Sequence, residues 1–596
     1  MAKKRSEIKE EYKWNLSLIY ESEEEFLKEY QKYYNKIDEI SNYKNNLMKD
    51  AENLYSYMTL DEEISRNILK LYEYAKLNND ADTANTKYQS LYGKIKELMN
   101  KYSSISAFVN PELLKYEYQK IEEFIKKEPK LKRYEKDFKD LYRTKPHILS
   151  EKEEKILSTL STSFNNPEET YSYLTDSDMK FGTIINENNE EVELTESNYP
   201  LFLRSNKQNV REQAFKNLLN EYKKFKNSIA STLSGNVDIT SKIAKVRNFS
   251  SSIEASLFDE DIDIKVYNTL IKTVKNNLKY LFDYFNYKKE KLNIKDFHIY
   301  DTYAKIEEDY NKKYTFDEAK ELVINAVKPL GEEYVANIKK AFEERWIDIY
   351  PNEGKRGGAY SAGSYDTKPY VLLNYESSYD DVSTLAHELG HSMHSYLTRT
   401  NNEYPTGDYK IFVAEVASTV NELLLAKYML KNSKDKKEKI FILNNLLDLY
   451  KATIYRQTMF AEFEQAIYEK HESKEVLTNE LLSDMYYKLN KEYFGKDVII
   501  DEEIKYEWMR IPHFFYDFYV YKYAIGLSCA SKIVNDILTE KDNAREKYIK
   551  FLSSGSQKTP LELLKDAGCD LKDTKVVKSA INMFNDLLIE LKELTK

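Results

Sequence analysis

The sequence is poor in cysteine, glycine and proline. Only 2 of its 596 residues are cysteines, Cys529 and Cys569, which excludes a disulfide framework and fits a reducing, cytoplasmic location. Glycine occurs 14 times and proline 11 times. A chain with so few of both residues favours long helices over turn-rich β architecture. We therefore expect a mainly α protein.

Two further absences limit the partners. The net charge is −10, so the basic surface that nucleic-acid-binding proteins need is missing. Mean hydropathy is −0.69, and no stretch approaches the roughly 20 apolar residues of a membrane-spanning helix. The first residues are basic but lack the apolar stretch of a signal peptide. We expect a cytoplasmic protein that binds neither nucleic acid nor membrane, and the composition does not indicate an oligomeric state.

The length of the chain predicts at least two domains. Amphipathic patterns at residues 24–40, 61–77 and 82–99 predict helices, and helical patterns continue to about residue 180. Residues 181–197 change to a period of two around an Asn-rich turn, which predicts a β-hairpin. We place a domain boundary after it, with an N-terminal helical lobe at 1–200 and a second domain at 201–596.

Histidine is scarce as well, and its distribution is uneven. Of the 7 histidines, three fall within residues 387–394, in the pattern His387-Glu388-Leu-Gly-His391. Residues four apart share one face of a helix, so two imidazoles at this spacing can hold one zinc ion, with Glu388 beside them. Apolar residues at 382, 385, 389, 393 and 397 supply the packed face of that helix. His394 lies too far along the helix to join the ligands.

A catalytic zinc ion usually takes three protein ligands and leaves one position for water. Glu403, Asp408, Glu415 and Glu422 are the downstream candidates. Residues 411–422 are apolar nearly all round, which predicts a buried helix with the last two carboxylates on one face. We select Glu415 as the ligand and expect Glu422 to support a histidine or to pair with a base elsewhere. The alternative is that both carboxylates form structural ion pairs.

A dense tyrosine run with helical character follows His513. Histidine and tyrosine can donate hydrogen bonds to the oxyanion of a tetrahedral intermediate. The candidates are His513, Tyr516, Tyr519, Tyr521 and Tyr523. The alternative is aromatic core packing, which must account for several of these side chains.

Four of the glycines lie within residues 350–363 and predict a loop. Residues 370–375 then read as a short buried strand that leads into the histidine-bearing helix. An extended peptide can pair with the edge of such a strand, and the neighbouring glycines allow a close backbone approach. The alternative is a core strand that makes no contact with a substrate.

Taken together, these residues resemble the M3 family of zinc peptidases, and within it the bacterial oligoendopeptidase F branch. The resemblance rests on residues 387–394 and 412–422, and no catalytic position departs from the family's pattern. Supporting segments span nearly the whole chain, at residues 12–20, 247–255, 370–375 and 511–523.

The resemblance implies a zincin-type fold with two helical lobes around a deep substrate channel and a small β element beside the zinc helix. Such a channel admits short peptides and excludes folded proteins. The resemblance also implies that residues 201–596 form the catalytic domain. One Zn²⁺ ion would be held by His387, His391 and Glu415, with Glu388 as general base. It further implies that His513 and tyrosines of its segment, for which we choose Tyr523 and Tyr516, contact the scissile carbonyl.

Two other functions are compatible with the same residues. A metallocarboxypeptidase would use the same zinc helix to trim single residues from the C-terminus of a peptide. A peptide-binding helical protein could hold a structural zinc ion. Structural sites are usually closed by four cysteine or histidine ligands, and this region has no cysteine, which argues against that function.

Overall fold

The structure, a computed structural model, describes residues 3–306 and 310–596. Helices dominate it, as the scarcity of glycine and proline predicts. The helices of the first half are α1 (Glu23–Lys36), α2 (Ala51–Ala81), α3 (Thr86–Ser106), α4 (Val109–Leu114), α5 (Tyr118–Lys127), α6 (Glu135–Thr144), α7 (Glu151–Phe164), α8 (Asn166–Tyr173), α9 (Tyr199–Leu203), α10 (Gln208–Lys224), α11 (Lys226–Val246), α12 (Ser252–Phe258), α13 (Ile264–Lys275) and α14 (Lys279–Lys291).

Eleven more α-helices follow within the described residues up to 596. They are α15 (Phe316–Ala326), α16 (Glu332–Glu343), α17 (Tyr379–Asn401), α18 (Ile411–Asn432), α19 (Lys436–Tyr450), α20 (Gln457–Glu472), α21 (Asn479–Phe494), α22 (Tyr521–Leu538), α23 (Ala544–Leu552), α24 (Pro560–Asp566) and α25 (Thr574–Leu594). Among residues 3–306 and 310–596, no helix combines the length and the apolar character that crossing a bilayer requires.

Helix α2 shows why a predicted helix boundary can differ from the observed one. The apolar pattern predicts a helix at 61–77, whereas α2 spans Ala51–Ala81. The helix begins ten residues earlier because the Asp50 side chain accepts a hydrogen bond from the Asn53 amide at 2.8 Å and caps it. Buried Leu54 and Tyr57 then extend the packed face toward that cap. The pattern therefore identified the helix but not its length.

The chain forms two compact units, and each is assembled from three segments. Unit 1 contains residues 1–145, 311–431 and 533–568, as far as they are described, and includes α15–α18. Unit 2 contains the described residues of 146–310, 432–532 and 569–596 and includes α7–α14 and α19–α21. The domain boundary at residue 200 stays a prediction.

Unit 1 holds a small three-stranded sheet. Its strands are β3 (Ile347–Asp348), β4 (Tyr360–Ala362) and β5 (Tyr370–Leu372), and they lie in the order β3-β5-β4. Strands β1 (Thr183–Ile185) and β2 (Glu191–Glu193) come earlier in the chain and belong to unit 2. Strand β5 is parallel to β3 and antiparallel to β4, and its three residues are 0% exposed. The predicted buried strand is confirmed, and the β element beside the histidine helix is present. Pairing of a peptide with the edge of this strand, one of the two alternatives, is wrong because both edges of β5 are already paired.

Unit 2 contains the predicted hairpin. Strands β1 and β2 are antiparallel, and Ile184 pairs with Val192. Ile184 is buried and anchors the hairpin, while Asn189 adopts a positive φ of 62° in the turn. Asparagine tolerates the left-handed region better than most residues do, which explains the Asn-rich composition of this turn.

Candidate metal centre

Helix α17 presents its histidines on a rigid, well-anchored backbone. Ser378 caps it, and Asp381 completes the reciprocal capping box by accepting from the Ser378 amide at 2.8 Å. The apolar residues predicted for the packed face are buried, including Val382, Leu385, Leu389 and Met393. The opposite face carries His387 and His391, whose Nε2 atoms lie 3.2 Å apart. The four-residue spacing thus directs both imidazoles to one point.

Glu415 of α18 joins these two histidines. Its Oε2 lies 3.5 Å from His387 Nε2 and 3.6 Å from His391 Nε2, and it accepts a hydrogen bond of 2.9 Å from the Ser418 hydroxyl. Ligands about 2.1 Å from a tetrahedral ion stand about 3.4 Å from one another, so these separations match one ion. The hydrogen bond from His391, opposed by burial, lowers the pKa of Glu415 to about 2.

The two rejected candidate ligands lie elsewhere in unit 1. Within the described residues, the donor cluster consists of His387, His391 and Glu415 and includes neither Glu403 nor Asp408. Glu403 accepts a hydrogen bond from the Arg133 guanidinium at 2.8 Å. Of the four candidate carboxylates, Glu415 is therefore the one whose oxygen lies in the donor cluster, and its role as a ligand stays a prediction.

Glu422 hydrogen-bonds the far side of the His387 ring. Its Oε1 contacts His387 Nδ1, which leaves Nε2 directed toward Glu415 and His391. Burial lowers the pKa of His387, but the hydrogen bond and the charge of Glu422 outweigh it and raise the pKa to about 9. A carboxylate behind a ligand histidine fixes the ring orientation and increases its basicity. This contact matches the supporting role expected of Glu422.

Glu388 is the buried carboxyl beside the cluster. The residue is 6% exposed, and its Oε2 has no hydrogen-bond partner among residues 3–306 and 310–596. Burial raises the pKa of Glu388, and the nearby charges of His387 and His391 act in the opposite direction. Such an oxygen needs a partner that the side chains around it do not supply.

Two residues that the sequence reasoning missed hold α17 and α18 together. A Cβ at Gly390 would come within 2.6 Å of both the Ala417 carbonyl oxygen and Ser418 Cα, so only glycine allows this close approach. The Asn421 amide donates to the Ala386 carbonyl at 3.1 Å, and its oxygen accepts from the Tyr334 hydroxyl at 2.9 Å. A glycine inside a helical pattern was the available signal for this contact.

His394 lies outside the donor cluster, as predicted. Its ring stacks on Tyr409 with a centroid distance of 3.7 Å, and Phe551 packs against it as well. The side chain is buried, and burial lowers its pKa to about 3. It therefore packs as a neutral aromatic side chain of the core.

The second group of candidate residues belongs to unit 2. His513 sits in a short 3₁₀ turn, Pro512–Phe515, and its Nε2 lies 3.5 Å from the Tyr523 hydroxyl. Burial lowers the pKa of His513. The ring of Tyr516 lies 5.7 Å from that of His513, and its side chain is 47% exposed. The structure thus brings the three selected residues of this segment together.

The expected helical character of this segment is only partly correct. The α-helix begins at Tyr521, because Asp517 and Phe518 adopt positive φ angles of 47° and 62°. Two successive left-handed residues interrupt a right-handed helix. The aromatic packing that was the alternative is also present, since the buried Phe518 packs against Tyr468 with ring centroids 4.6 Å apart.

The chain is similar to known proteins over nearly its whole length. Residues 201–583 match the sequence profile of peptidase family M3, and residues 112–181 match that of oligopeptidase F. The chain is 42% identical to oligopeptidase PepF of Bacillus subtilis over 590 residues, which cover 99% of this chain and 88% of that protein.

Solved structures give the same result. A crystal structure from Chlamydophila abortus superposes over 100% of both chains with a TM-score of 0.93 and 34% identity. Oligoendopeptidase-F from Enterococcus faecium superposes with a TM-score of 0.71 and 34% identity, covering 96% of this chain and 99% of that chain. The resemblance seen in the sequence is confirmed. The chain therefore belongs to peptidase family M3, in which it is a metalloendopeptidase of the oligoendopeptidase F type.

Proposed function

We propose that the protein is a zinc-dependent oligoendopeptidase that hydrolyses internal bonds of short to medium peptides. The observation that carries this proposal is the convergence of His387, His391 and Glu415 beside the buried carboxyl of Glu388. Two imidazoles and one carboxylate form a donor set typical of catalytic zinc, with room for a fourth ligand. One ion per chain would satisfy it.

The orientation of the His387 ring also fits a zinc ligand. Since Glu422 binds the Nδ1 side of His387, the Nε2 lone pair is the one presented to an ion. When bound, zinc supplies Lewis acidity that activates water and polarises the carbonyl of the peptide bond.

Glu388 performs the proton transfers in this proposal. Its unpartnered Oε2 can accept a proton from the attacking water, and a buried carboxyl of raised pKa is suited to hold that proton briefly. The same oxygen then returns the proton to the leaving amine. Because Glu388 is on α17 beside the ligand His387, its position is fixed by the helix that holds the ion.

The family resemblance supports a role for His513, Tyr523 and Tyr516 as hydrogen-bond donors to the scissile carbonyl oxygen. The 3.5 Å contact between His513 Nε2 and the Tyr523 hydroxyl places two such donors next to each other. The lowered pKa of His513 keeps the ring neutral at neutral pH, so one ring nitrogen donates and the other accepts.

An extended peptide could pair with strand β4. This strand is at the edge of its sheet, and within the described chain its outer side has no partner strand. It packs against the helix that carries the histidines, and the Ser361 and Ser392 hydroxyls are 2.9 Å apart at that contact. Backbone hydrogen bonds to such an edge bind peptides largely independently of their side chains.

The free thiols of Cys529 and Cys569 support the cytoplasmic location that we propose.

Product analysis by mass spectrometry tests the proposed function. The substrates are peptides of about 6 to 20 residues, free or blocked at both ends, together with one folded protein. We expect internal cuts in the short peptides, blocked ones included, no cuts in the folded protein, and loss of activity with a zinc chelator. Trimming of free C-termini with blocked peptides left intact would favour a metallocarboxypeptidase. Binding without cleavage would contradict both enzymatic functions.

A further inference from the structure

The segment between His513 and Tyr523 has an unusual backbone. The 3₁₀ turn Pro512–Phe515 precedes it and α22 follows it, yet the chain does not continue as one helix. Asp517 and Phe518 lie in the left-handed region, with φ angles of 47° and 62°. Side chains with a Cβ disfavour this region, and two such residues in succession persist only where their surroundings hold them.

The side chain of Asp517 accepts hydrogen bonds from three donors within unit 2. Its Oδ1 accepts from the Tyr468 hydroxyl at 2.6 Å and the Asn236 amide at 3.2 Å, and its Oδ2 accepts from the Thr240 hydroxyl at 2.9 Å. The Asp517 carbonyl accepts from the Ser256 hydroxyl at 2.6 Å. These donors come from helices α11, α12 and α20, so Asp517 ties the turn to three helices.

Phe518 completes the anchorage. Its amide donates to Glu464 Oε1 at 2.7 Å, and its buried ring packs against Tyr468 and Tyr267. Glu464 is itself fully buried. The left-handed pair is therefore fixed by side-chain hydrogen bonds and by packing, and not by a glycine.

The turn determines how far His513 is from Tyr523. The two residues are 10 positions apart in the chain, and the His513 Nε2 to Tyr523 hydroxyl distance is 3.5 Å. In one continuous α-helix, ten residues would separate them by about 15 Å along the axis. The contact between the two side chains requires the interruption of the helix at Asp517 and Phe518.

We propose that Asp517 is a positioning residue for peptide hydrolysis, which holds the left-handed turn that brings His513 and Tyr523 together. This inference rests on the proposed function, because it assigns Asp517 to the two residues that would contact the scissile carbonyl. Asp517 itself would touch neither the substrate nor the ion. Its effect on turnover passes through His513 and Tyr523.

The test measures kcat and KM for internal cleavage of a blocked peptide by Asp517→Ala and by Asp517→Asn, which retains one carbonyl acceptor. Misplacement of a substrate-contacting pair by about 1 Å can reduce a rate by about 100-fold, so we expect a loss of about 10- to 100-fold in kcat/KM for Asp517→Ala. We expect a smaller loss for Asp517→Asn and an unchanged zinc content in both.

Asp573→Ala is the matched control. Asp573 accepts from the Lys575 amide and caps α25 in unit 2, so its loss removes a structural hydrogen bond of an aspartate without touching the turn. We expect this variant to keep kcat/KM within about twofold even where its Tm falls. An equal loss of activity in Asp573→Ala would mean that general loosening of unit 2 explains the effect, and would overturn the proposal.

A double-mutant cycle separates positioning from other roles. If Asp517 acts through His513 and Tyr523, then Asp517→Ala should reduce kcat/KM by less than about twofold in a background that carries both His513→Ala and Tyr523→Phe. Multiplicative losses would contradict the proposal.

A nuclear magnetic resonance titration of His513 provides a readout that does not depend on hydrolysis. Burial now lowers the His513 pKa, and in Asp517→Ala we expect it to move up toward the ordinary value of about 6.5. If the wild-type chain cleaves no peptide, the proposed function fails while this titration still tests the turn. An unchanged His513 titration in Asp517→Ala would overturn the inference.

Discussion

The donor cluster of unit 1 and the His513–Tyr523 segment of unit 2 achieve precise placement in different ways. In unit 1, His387, His391 and Glu415 project from two long helices that pack at Gly390. In unit 2, the contact between His513 and Tyr523 depends on a turn of two left-handed residues that side chains hold in place. Regular backbone fixes the first group, and a hydrogen-bond network fixes the second. We expect the first to resist single substitutions outside the helix contact and the second to depend on each anchor.

The largest effect is expected from Glu388→Gln, which removes the proton acceptor and keeps the helix. Turnover should fall by about 10²- to 10⁴-fold, while zinc content stays at one ion per chain. Kinetics on a blocked peptide and metal analysis of the same sample measure the two effects. Full activity with zinc retained would eliminate Glu388 as the general base.

Glu415→Ala tests whether the donors from the two helices act as one site. Loss of a residue that only supports a ligand typically weakens zinc affinity by about 10- to 100-fold. Loss of the direct ligand Glu415 should weaken it by more. Competition with a chromogenic chelator measures the affinity. The control is Glu403→Ala, which removes a carboxylate outside the cluster and should leave the affinity unchanged. The reverse result would make Glu403 the ligand.

Glu422→Gln addresses the residue behind His387. Glutamine cannot carry the charge that raises the pKa of His387, so the imidazole becomes a weaker donor. We expect zinc affinity to fall by about 10- to 100-fold. Added zinc should then restore the activity that the variant has lost. A variant that binds zinc as tightly as the wild type would show that the helix alone orients the ring.

Gly390→Ala tests the packing between α17 and α18. A methyl group there would meet the backbone of Ala417 and Ser418, and overpacking of this kind costs about 1–3 kcal/mol. We expect lower stability and weaker zinc binding together, because the clash separates the helices that carry the ligands. In Gly93→Ala, the matched control on α3, the added Cβ comes within 4 Å of no atom of the described chain other than the local backbone of α3 and the residues next to Gly93. That variant should be as stable as the wild type or more so by up to about 1 kcal/mol.

The smallest effect on activity is expected from Glu464→Gln, which preserves the acceptor for the Phe518 amide. Burial holds the pKa of Glu464 well above its ordinary value, so the folded state retains a proton that the unfolded state releases above about pH 4.3. The stability contributed by that proton is fully present below this pH and is lost as the pH rises toward the folded-state pKa. Glutamine does not titrate.

Urea unfolding between pH 4 and 7 measures this difference. The free energy of unfolding of Glu464→Gln, relative to the wild type, should increase with pH by at most about 1.4 kcal/mol per unit. A relative stability that does not depend on pH would show that Glu464 is ionised in the folded protein.

The two regions also differ in what the sequence could predict. The helical period is enough to place His387 and His391 on one face of α17. The apolar character of residues 411–422 indicated a buried helix for Glu415, and the packing of α18 on α17 brings that carboxylate to the histidines. The mainly α fold followed from the scarcity of glycine and proline. The contact of Glu422 with His387 was one of two expectations for that residue, and only the packing of α17 on α18 decides between them.

Other features depend on contacts between residues far apart in the chain. The left-handed turn has no local signal, because Asp517 and Phe518 are held there by Tyr468, Thr240 and Glu464. The central position of β5 depends on its pairing with β3 and β4, which a short buried strand does not reveal. The assembly of each unit from three separate segments likewise arises from long-range packing.

The most direct test of the central claim is anomalous X-ray diffraction at the zinc absorption edge from crystals of the active protein. We predict one anomalous peak per chain, bonded to His387 Nε2, His391 Nε2 and a Glu415 oxygen at about 2.0–2.2 Å. A peak bonded instead to Glu403 or Asp408, or no peak in crystals of protein that cleaves peptides, would contradict the account.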